Sequence, residues 1–206
     1  MDVQVHLMPA KDYPGALKQV ASKHNIIEFT AENAIMQVHL LTERIIRFRF
    51  TPDLFQKDFS YAIDPNFKAQ PVHFELKDDG EFQSIVTPLL KIKVRKSTLE
   101  VIIEDAAGNL LCEDDGGYHF EQNKGYGGYY VYNSKKIQDD ECFYGLGDKS
   151  SNLNLRGKRF LNWGTDTYGF AKEQDPLYRN IPFYYGLTGG RGYCIFFDNS
   201  FQTFFY

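Results

Sequence analysis

Short runs in which apolar and polar residues alternate recur along most of the 206-residue chain. A period of two places successive side chains on opposite faces of a β-strand. The clearest runs are residues 35–40, 45–50, 72–76, 90–94 and 99–103, and turn-forming stretches such as 78–80 and 107–109 separate them. Short strands at this spacing favour a sandwich or barrel over a parallel sheet with crossover helices. The sequence therefore predicts an all-β chain built as an antiparallel β-sandwich.

Residues 13–23 show the one helical pattern, with Leu17, Val20 and Ala21 near one face. Pro14 fits the first turn of such a helix, where its missing N–H costs little. The sequence thus predicts one short helix near residues 14–23. Because the chain has no repeat, low-complexity tract or linker, residues 1–206 are interpreted as a single domain.

Composition argues against two classes of partner. The net charge is −4 with both signs interspersed, whereas nucleic-acid binding demands a clustered basic face. No apolar run approaches the length of a membrane span, so we expect neither a nucleic acid nor a membrane as partner. The 14 Tyr and 18 Phe fit strands, because aromatic side chains pack well on a half-buried pleated surface.

The cysteines and the start of the chain predict a cytoplasmic location. Three widely spaced cysteines without a CxxC pair suggest a reduced compartment rather than a disulfide framework or a zinc site. The start, Met1 to His6, has neither a basic leader nor a long apolar run. The five histidines lack metal-ligand spacing, so no metal and no cofactor is implied.

Five motifs follow one another in the second half of the chain. They are FYGLGD at 143–148, LNLRG at 153–157, NWGTDT at 162–167, DPLYRNIPF at 175–183 and GYCIFFDNS at 192–200. In order and spacing they resemble the end of the amino-terminal domain of family 31 glycoside hydrolases, of the α-glucosidase and α-xylosidase type. The strand runs at 45–50 and 99–108 also fit that domain, and the resemblance covers residues 26–206.

The resemblance implies a galactose mutarotase-like β-sandwich set beside a catalytic (β/α)₈ barrel. Enzymes of this family hydrolyse α-linked glucosides, xylosides or related sugars with retention of configuration. A retaining mechanism needs two carboxylates roughly 5 Å apart, and the family places both aspartates on the barrel. Since that barrel would follow Tyr206, we expect no catalytic residue in this chain and no activity from it alone. The implied partners are an α-linked oligosaccharide and the barrel of the same polypeptide.

The same resemblance points to three substrate-binding candidates on one loop. In the family a loop of the sandwich reaches over the barrel mouth, and Asp166 with Thr167 matches its acidic position. A carboxylate can accept hydrogen bonds from two sugar hydroxyls, although Asp also serves simply to form turns. Trp163 could stack on a pyranose ring or serve only in packing. Because the order Asn162-Trp163 departs from the expected Trp-Asn, Asn162 is given no role.

Other polar residues have simpler interpretations. Arg156 is expected to brace its loop or the barrel interface rather than touch substrate. Asp114 to Gly117 is predicted to be a turn. Residues 139–141, Asp-Asp-Glu, are predicted to form a solvated loop rather than a catalytic cluster.

Two alternatives from other classes stay open. The chain could be a free-standing carbohydrate-binding module with an aromatic platform, which sugar affinity of the isolated chain would favour. A domain completed by a barrel should show little affinity alone. The chain could also be a sugar epimerase, which would need a general acid and base, typically His with Glu, in a cleft. The histidines fall outside the five motifs, and fold alone does not establish that activity.

Overall fold

The computed structural model describes residues 12–206, which form two compact units. The first extends to Lys57 and resumes over Lys68–Lys136, and the second comprises Asp58–Phe67 and Ile137–Tyr206. Each unit has its own cluster of buried apolar side chains. The interpretation of residues 1–206 as one domain stays a prediction. The start of the chain, Met1 to His6, on which the absence of a leader was inferred, lies outside the described residues.

The first unit contains two antiparallel sheets. A four-stranded sheet has the order β1-β2-β3-β4, and a six-stranded sheet has the order β10-β9-β8-β7-β6-β5. The strands are β1 (Leu17–Lys23), β2 (Ile26–Ala31), β3 (Ile35–Leu40), β4 (Ile46–Thr51), β5 (Glu75–Asp79), β6 (Phe82–Val86), β7 (Leu90–Arg95), β8 (Val101–Asp105), β9 (Leu110–Gln122) and β10 (Tyr129–Lys135).

Both sheets of the first unit contribute to one hydrophobic core. Alternate residues of β2 and β3, such as Phe29 and Val38, are fully buried, and so are Ile92 and Val94 of β7. Burying each such side chain contributes about 1.5–3 kcal/mol. Ile46, Phe48 and Phe50 also pack against this core, as the alternation predicts. The predicted all-β sandwich is therefore confirmed, with the charged residues of β7 on its opposite face.

The helix predicted near residues 14–23 is wrong, because the described residues contain no helix. Residues 17–23 form β1, which pairs antiparallel with β2. A register shift between Leu17 and Gln19 interrupts the alternation, so Leu17 and Val20, three residues apart, both pack against the core. A bulge thus imitates helical spacing. So short a helix would also be marginal without tertiary support, whereas the edge of β2 offers backbone partners.

The strand predicted at 72–76 is only partly present, since β5 begins at Glu75. Val72 and Phe74 still pack against the core. The backbone N–H of Val72 donates to the Asn25 side-chain oxygen at 3.2 Å instead of to a neighbouring strand. The apolar alternation at Val72 and Phe74 therefore reflects burial of the side chains, although the backbone of these residues does not pair with a neighbouring strand.

The turn predicted at Asp114 to Gly117 is wrong, because these residues lie inside the 13-residue strand β9. Gly116 and Gly117 adopt positive φ values of 78° and 65°, and the pairing of β9 with β10 shifts register opposite them, so the strand is irregular here but does not end. The Asp114 side chain is fully buried and accepts hydrogen bonds from the Val101 N–H at 2.9 Å, from Asn133 at 3.2 Å and from Lys135. Asp114 was expected in a turn, but partners distant in sequence allow its carboxylate to be buried inside a strand.

The second unit contains two small antiparallel sheets. Three strands have the order β11-β13-β14, and two further strands, β12 and β15, pair with each other. Their bounds are β11 (Cys142–Gly147), β12 (Phe160–Asn162), β13 (Asn180–Thr188), β14 (Arg191–Phe196) and β15 (Thr203–Phe205). Both sheets contribute to the second core, through Leu146, Phe160, Tyr184 and Phe205. As for membranes, residues 12–206 contain no helix that is long and apolar enough to cross one.

Candidate functional site

The three predicted binding residues lie on the loop that joins β12 to β13, here called the 163–179 loop. Its two limbs are tied together. The N–H of Thr165 donates to the carbonyl of Leu177 at 3.1 Å, and the hydroxyl of Tyr178 donates to the carbonyl of Thr167. The Thr167 hydroxyl donates to the Pro176 carbonyl at 3.4 Å. The loop is therefore held in one shape by its own hydrogen bonds.

Asp166 lies exposed on this loop. Its carboxylate has no hydrogen-bond or ion-pair partner among residues 12–206. Both oxygens are consequently open to a ligand. Thr167 beside it is half-buried, and its hydroxyl oxygen keeps acceptor capacity. A sugar-binding role for Asp166 and Thr167 remains a prediction.

A buried lysine fixes the base of the loop. The Lys149 ammonium is 2.8 Å from Asp175 Oδ1, 3.2 Å from Asn180 Oδ1 and 3.1 Å from the Leu161 carbonyl. Three acceptors satisfy its three N–H groups. The second oxygen of Asp175 accepts from the Leu161 N–H. One ammonium thus joins β12, the returning limb of the loop and the start of β13.

A partly exposed ion pair links the same loop to the segment before β12. The Lys158 ammonium donates to Glu173 at 2.6 Å. This hydrogen bond, with the positive charge behind it, holds the pKa of the Glu173 carboxyl below its usual value. The backbone N–H of Glu173 also donates to the Ser150 carbonyl at 2.6 Å. These contacts anchor the far side of the loop.

A cleft of about 310 Å³ opens next to this loop. It is lined by Asn162, Trp163, Gly164, Asn180, Pro182, Asn199, Ser200, Phe201 and Thr203, and is called the Asn162 cleft below. The structure thus brings Trp163 together with polar residues from β13 and from the segment before β15. Asp166 and Thr167 do not line this cleft.

Asn162, which received no role from the sequence, is buried in this cleft. The residue is only 6% exposed, and neither its amide nitrogen nor its amide oxygen has a hydrogen-bond partner within residues 12–206. Nearly all buried polar groups in proteins are paired. One signal in the sequence could have identified it. Phe160 and Asn162 lie two residues apart and therefore share the inward face of β12, so an amide stands where an apolar residue is expected.

Arg156 braces its loop, as predicted. Its Nη1 donates to the carbonyl oxygens of Gln138 at 2.8 Å and Glu141 at 2.7 Å. The expectation that residues 139–141 form a solvated loop is wrong for Glu141, which is 1% exposed. Its carboxylate accepts from the Tyr193 hydroxyl at 2.7 Å and from the Gln138 N–H at 2.9 Å. These partners make Glu141 a structural group.

A second cleft of about 310 Å³ lies in the first unit, around Glu32, Asn33 and Asp53. One of its two acids, Glu32, already has hydrogen-bond partners, since it accepts from Lys18 at 2.6 Å and from the Ala16 N–H at 3.2 Å. No histidine lines either cleft. Within the described part of the chain, no group of three His, Cys, Asp or Glu residues could hold a metal ion. The Asn162 cleft and the 163–179 loop are therefore the candidate site.

A family model, a curated relative and solved structures all relate this chain to glycosyl hydrolases. Residues 35–205 match the family model of the glycosyl hydrolase 31 N-terminal galactose mutarotase-like domain. Alpha-glucosidase 2 of Bacillus thermoamyloliquefaciens is 26% identical over 193 residues, which are 93% of this chain and 24% of that enzyme. The chain thus spans about a quarter of the length of this relative.

Solved structures agree. A glycoside hydrolase family 31 dextranase of Flavobacterium johnsoniae, complexed with glucose, superposes with a TM-score of 0.72 at 27% identity. The match covers 94% of this chain and 23% of the dextranase. An α-xylosidase of the same family from Xanthomonas citri shares the fold, with a TM-score of 0.59 at 20% identity over 84% of this chain and 18% of that enzyme.

Proposed function

Because the chain belongs to the N-terminal galactose mutarotase-like domains of glycosyl hydrolase family 31, we propose that it is the accessory sandwich of a retaining α-glycosidase. In this proposal the chain contributes a wall of the substrate site and packs on a catalytic barrel, and an α-glucoside is the substrate. The chain itself supplies no catalytic carboxylate and is inactive alone. A reduced, cytoplasmic setting is part of the same proposal.

The observation that carries the proposal is that the Asp166 carboxylate is exposed and has no partner among the described residues. An exposed carboxylate without a partner sits on a loop whose limbs and base are fixed by internal hydrogen bonds. Such a group is pre-organised to accept hydroxyl hydrogen bonds, and holding it in place removes part of the entropic cost of binding. The curated relative that matches most of this chain is named an alpha-glucosidase, which supports an α-glucoside as substrate.

Exposed aromatic residues support packing on a further domain. In the second unit, Tyr206 is 81% exposed. Phe204 is 55% exposed and stacks on Tyr206 with ring centroids 6.2 Å apart. Contiguous exposed apolar patches mark interaction sites, and the two stacked rings form such a patch. We propose that the barrel covers them.

The kinetic test of the proposal uses Asp166→Ala and Asp166→Asn in the polypeptide that carries this chain with a barrel. Each variant should lower kcat/KM on α-linked disaccharides by about tenfold, the loss of one charge-assisted hydrogen bond of about 1.5 kcal/mol. Small aryl α-glucosides should be much less affected, since they lack the second sugar. The control is Asp115→Ala, an exposed carboxylate of the first unit. Unchanged kinetics of both Asp166 variants on both substrates would contradict a substrate-binding role for Asp166.

The exposed aromatic residues also suit the carbohydrate-binding module as a second candidate. Trp163 and Tyr168 are 49% and 98% exposed, and aromatic faces are what such modules use. The two candidates differ in the isolated chain. A module should bind an α-glucan tighter than about 100 µM, whereas an accessory domain should bind sugar only at about 1 mM or weaker. Coding sequence after Tyr206 that continues into a (β/α)₈ pattern with two aspartates at strand ends would decide for the glycosidase.

A further inference from the structure

The Asn162 amide is a polar group that the fold buries without pairing. Its nitrogen and oxygen each lack a partner among residues 12–206, and the side chain belongs to a residue 94% removed from solvent. Leaving a buried donor or acceptor unpaired is unfavourable in free energy, because the group gives up its hydrogen bonds to water and gains none in return. A ligand that enters the cleft and pairs with the amide would recover that free energy.

The other amides of the cleft are already occupied. Asn180 accepts from Lys149 at 3.2 Å and donates to the Leu177 carbonyl at 2.9 Å. Asn199 donates to the Thr203 hydroxyl at 2.9 Å and accepts from the Phe201 N–H at 2.8 Å. Asn162 is therefore the amide in this cleft with its full capacity free, two donors and one acceptor oxygen.

The remaining lining selects the chemistry of the ligand. Trp163 is 49% exposed and Phe201 is 81% exposed, so both present aromatic surface beside the amide. Ser200 and Thr203 add hydroxyl groups. A volume of about 310 Å³ is at the lower end of ligand pockets, about 300–1,000 Å³, and fits a single ring rather than a chain of rings.

We propose that the Asn162 cleft binds one pyranose ring. The amide oxygen accepts from one hydroxyl and the amide nitrogen donates to its neighbour, while Trp163 covers an apolar face of the ring. The choice of a sugar rests on the proposed function. In this proposal the second unit contacts sugar at the cleft through residues other than Asp166 and Thr167.

The test measures binding to the chain itself. Trp163 is its single tryptophan, so indole fluorescence reports on the cleft directly. Titration with methyl α-glucoside should give a saturable change with a Kd on the order of 1–10 mM. Asn162→Leu should weaken this binding at least tenfold while leaving stability to urea unchanged or increased, because the unpaired polar group is gone. Phe201→Ala should also weaken binding, whereas Phe204→Ala, an exposed residue outside the cleft, should not.

Asn25→Leu is the matched structural control. The Asn25 amide donates to the carbonyls of Leu40 at 3.0 Å and Gln70 at 2.6 Å, and its oxygen accepts from the Val72 N–H. Its replacement should therefore lower stability and leave sugar affinity unchanged. If Asn162→Leu lowers stability as strongly as Asn25→Leu, or fails to fold, the amide has a structural partner such as water and the proposal is wrong.

Two further results would overturn it: no saturable change in the unmodified chain up to about 100 mM sugar, or equal affinity in Asn162→Leu. The outcome is separable from that of the proposed function. Asp166 does not line the cleft, so Asp166→Ala should leave this titration unchanged. A failed titration together with a positive Asp166 result would reject the cleft alone.

Discussion

The Lys149 ammonium and the Asp175 carboxylate form an ion pair at 2.8 Å although the residues are 26 positions apart. The lysine side chain is 3% exposed and the aspartate side chain 15% exposed. Two further oxygens, from Leu161 and Asn180, complete the surroundings of the ammonium. The pair links both ends of the 163–179 loop, so the position of Asp166 and Trp163 depends on a residue outside their motif.

Replacing Lys149 should therefore destabilise the second unit. Lys149→Met keeps the length of the side chain but leaves Asp175 without its counter-charge, and breaking a buried pair costs about 3–5 kcal/mol. Adding Asp175→Asn should restore part of the loss. Equilibrium unfolding in urea measures both. The control, Lys158→Met, removes a more exposed pair with Glu173 and should cost much less than Lys149→Met. Equal losses for the two lysines would contradict the structural role.

Asp114 should be the most sensitive acid of the first unit. Asp114→Ala leaves the Lys135 ammonium and the Val101 N–H without their shared acceptor, so we expect a loss of at least about 2 kcal/mol. The adjacent Asp115 is exposed, and Asp115→Ala should change stability by less than about 0.5 kcal/mol. Thermal unfolding of the two variants measures the difference. Similar melting temperatures would show that Asp114 is not a buried hydrogen-bond acceptor.

Gly147 should not tolerate a side chain. Its φ is 80°, and an added Cβ would lie 2.4 Å from the Arg179 carbonyl oxygen. Gly147→Ala therefore carries a steric clash in addition to the conformational cost of about 1–2 kcal/mol for positive φ. Gly157 has a similar φ of 74° with open space around it, so Gly157→Ala should show the conformational cost alone. Unfolding free energies of the two variants should differ accordingly, and equal values would refute the clash.

The pKa of Glu173 should depend on Lys158. In the folded chain this pKa lies below the ordinary value, first because Lys158 donates a hydrogen bond and then because of its charge. A lowered folded pKa contributes stability above the unfolded value, about 4.3, and this contribution disappears as the pH falls through the folded pKa. Carboxyl chemical shifts followed by NMR from pH 7 to pH 2 should show the Glu173 midpoint rising towards its ordinary value in Lys158→Ala. An unmoved midpoint would argue against the pair in solution.

Much of the fold was predictable from local pattern. Alternation identified β3 at its observed bounds and put Phe48 and Phe50 on one face of their strand, because neighbouring side chains of a strand point to opposite sides whatever lies around them. The structure packs that face against the core. The same rule failed at Leu17 and Val20, where a bulge altered the period. It failed again at 72–74, where burial occurs without strand pairing.

The candidate site was predictable only in part. The order of motifs indicated the family and pointed to Asp166, Thr167 and Trp163, and the structure places all three on one loop. Asn162 and Lys149 were not selected, because nothing in their immediate neighbours shows that one amide is unpaired and one ammonium enclosed. Both properties arise from contacts with residues of β13 and of the segments around it.

The sequence by itself determined the class of fold and the family, since alternation and motif order are properties of neighbouring residues along the chain. Only the tertiary structure decided where polar groups are buried and what satisfies them. Asp114 pairs with a lysine 21 positions away, and Glu141 accepts from a tyrosine 52 positions away. Burying a charge is tolerated only when such partners are in place, and the partners are brought together by folding rather than by adjacency in the chain.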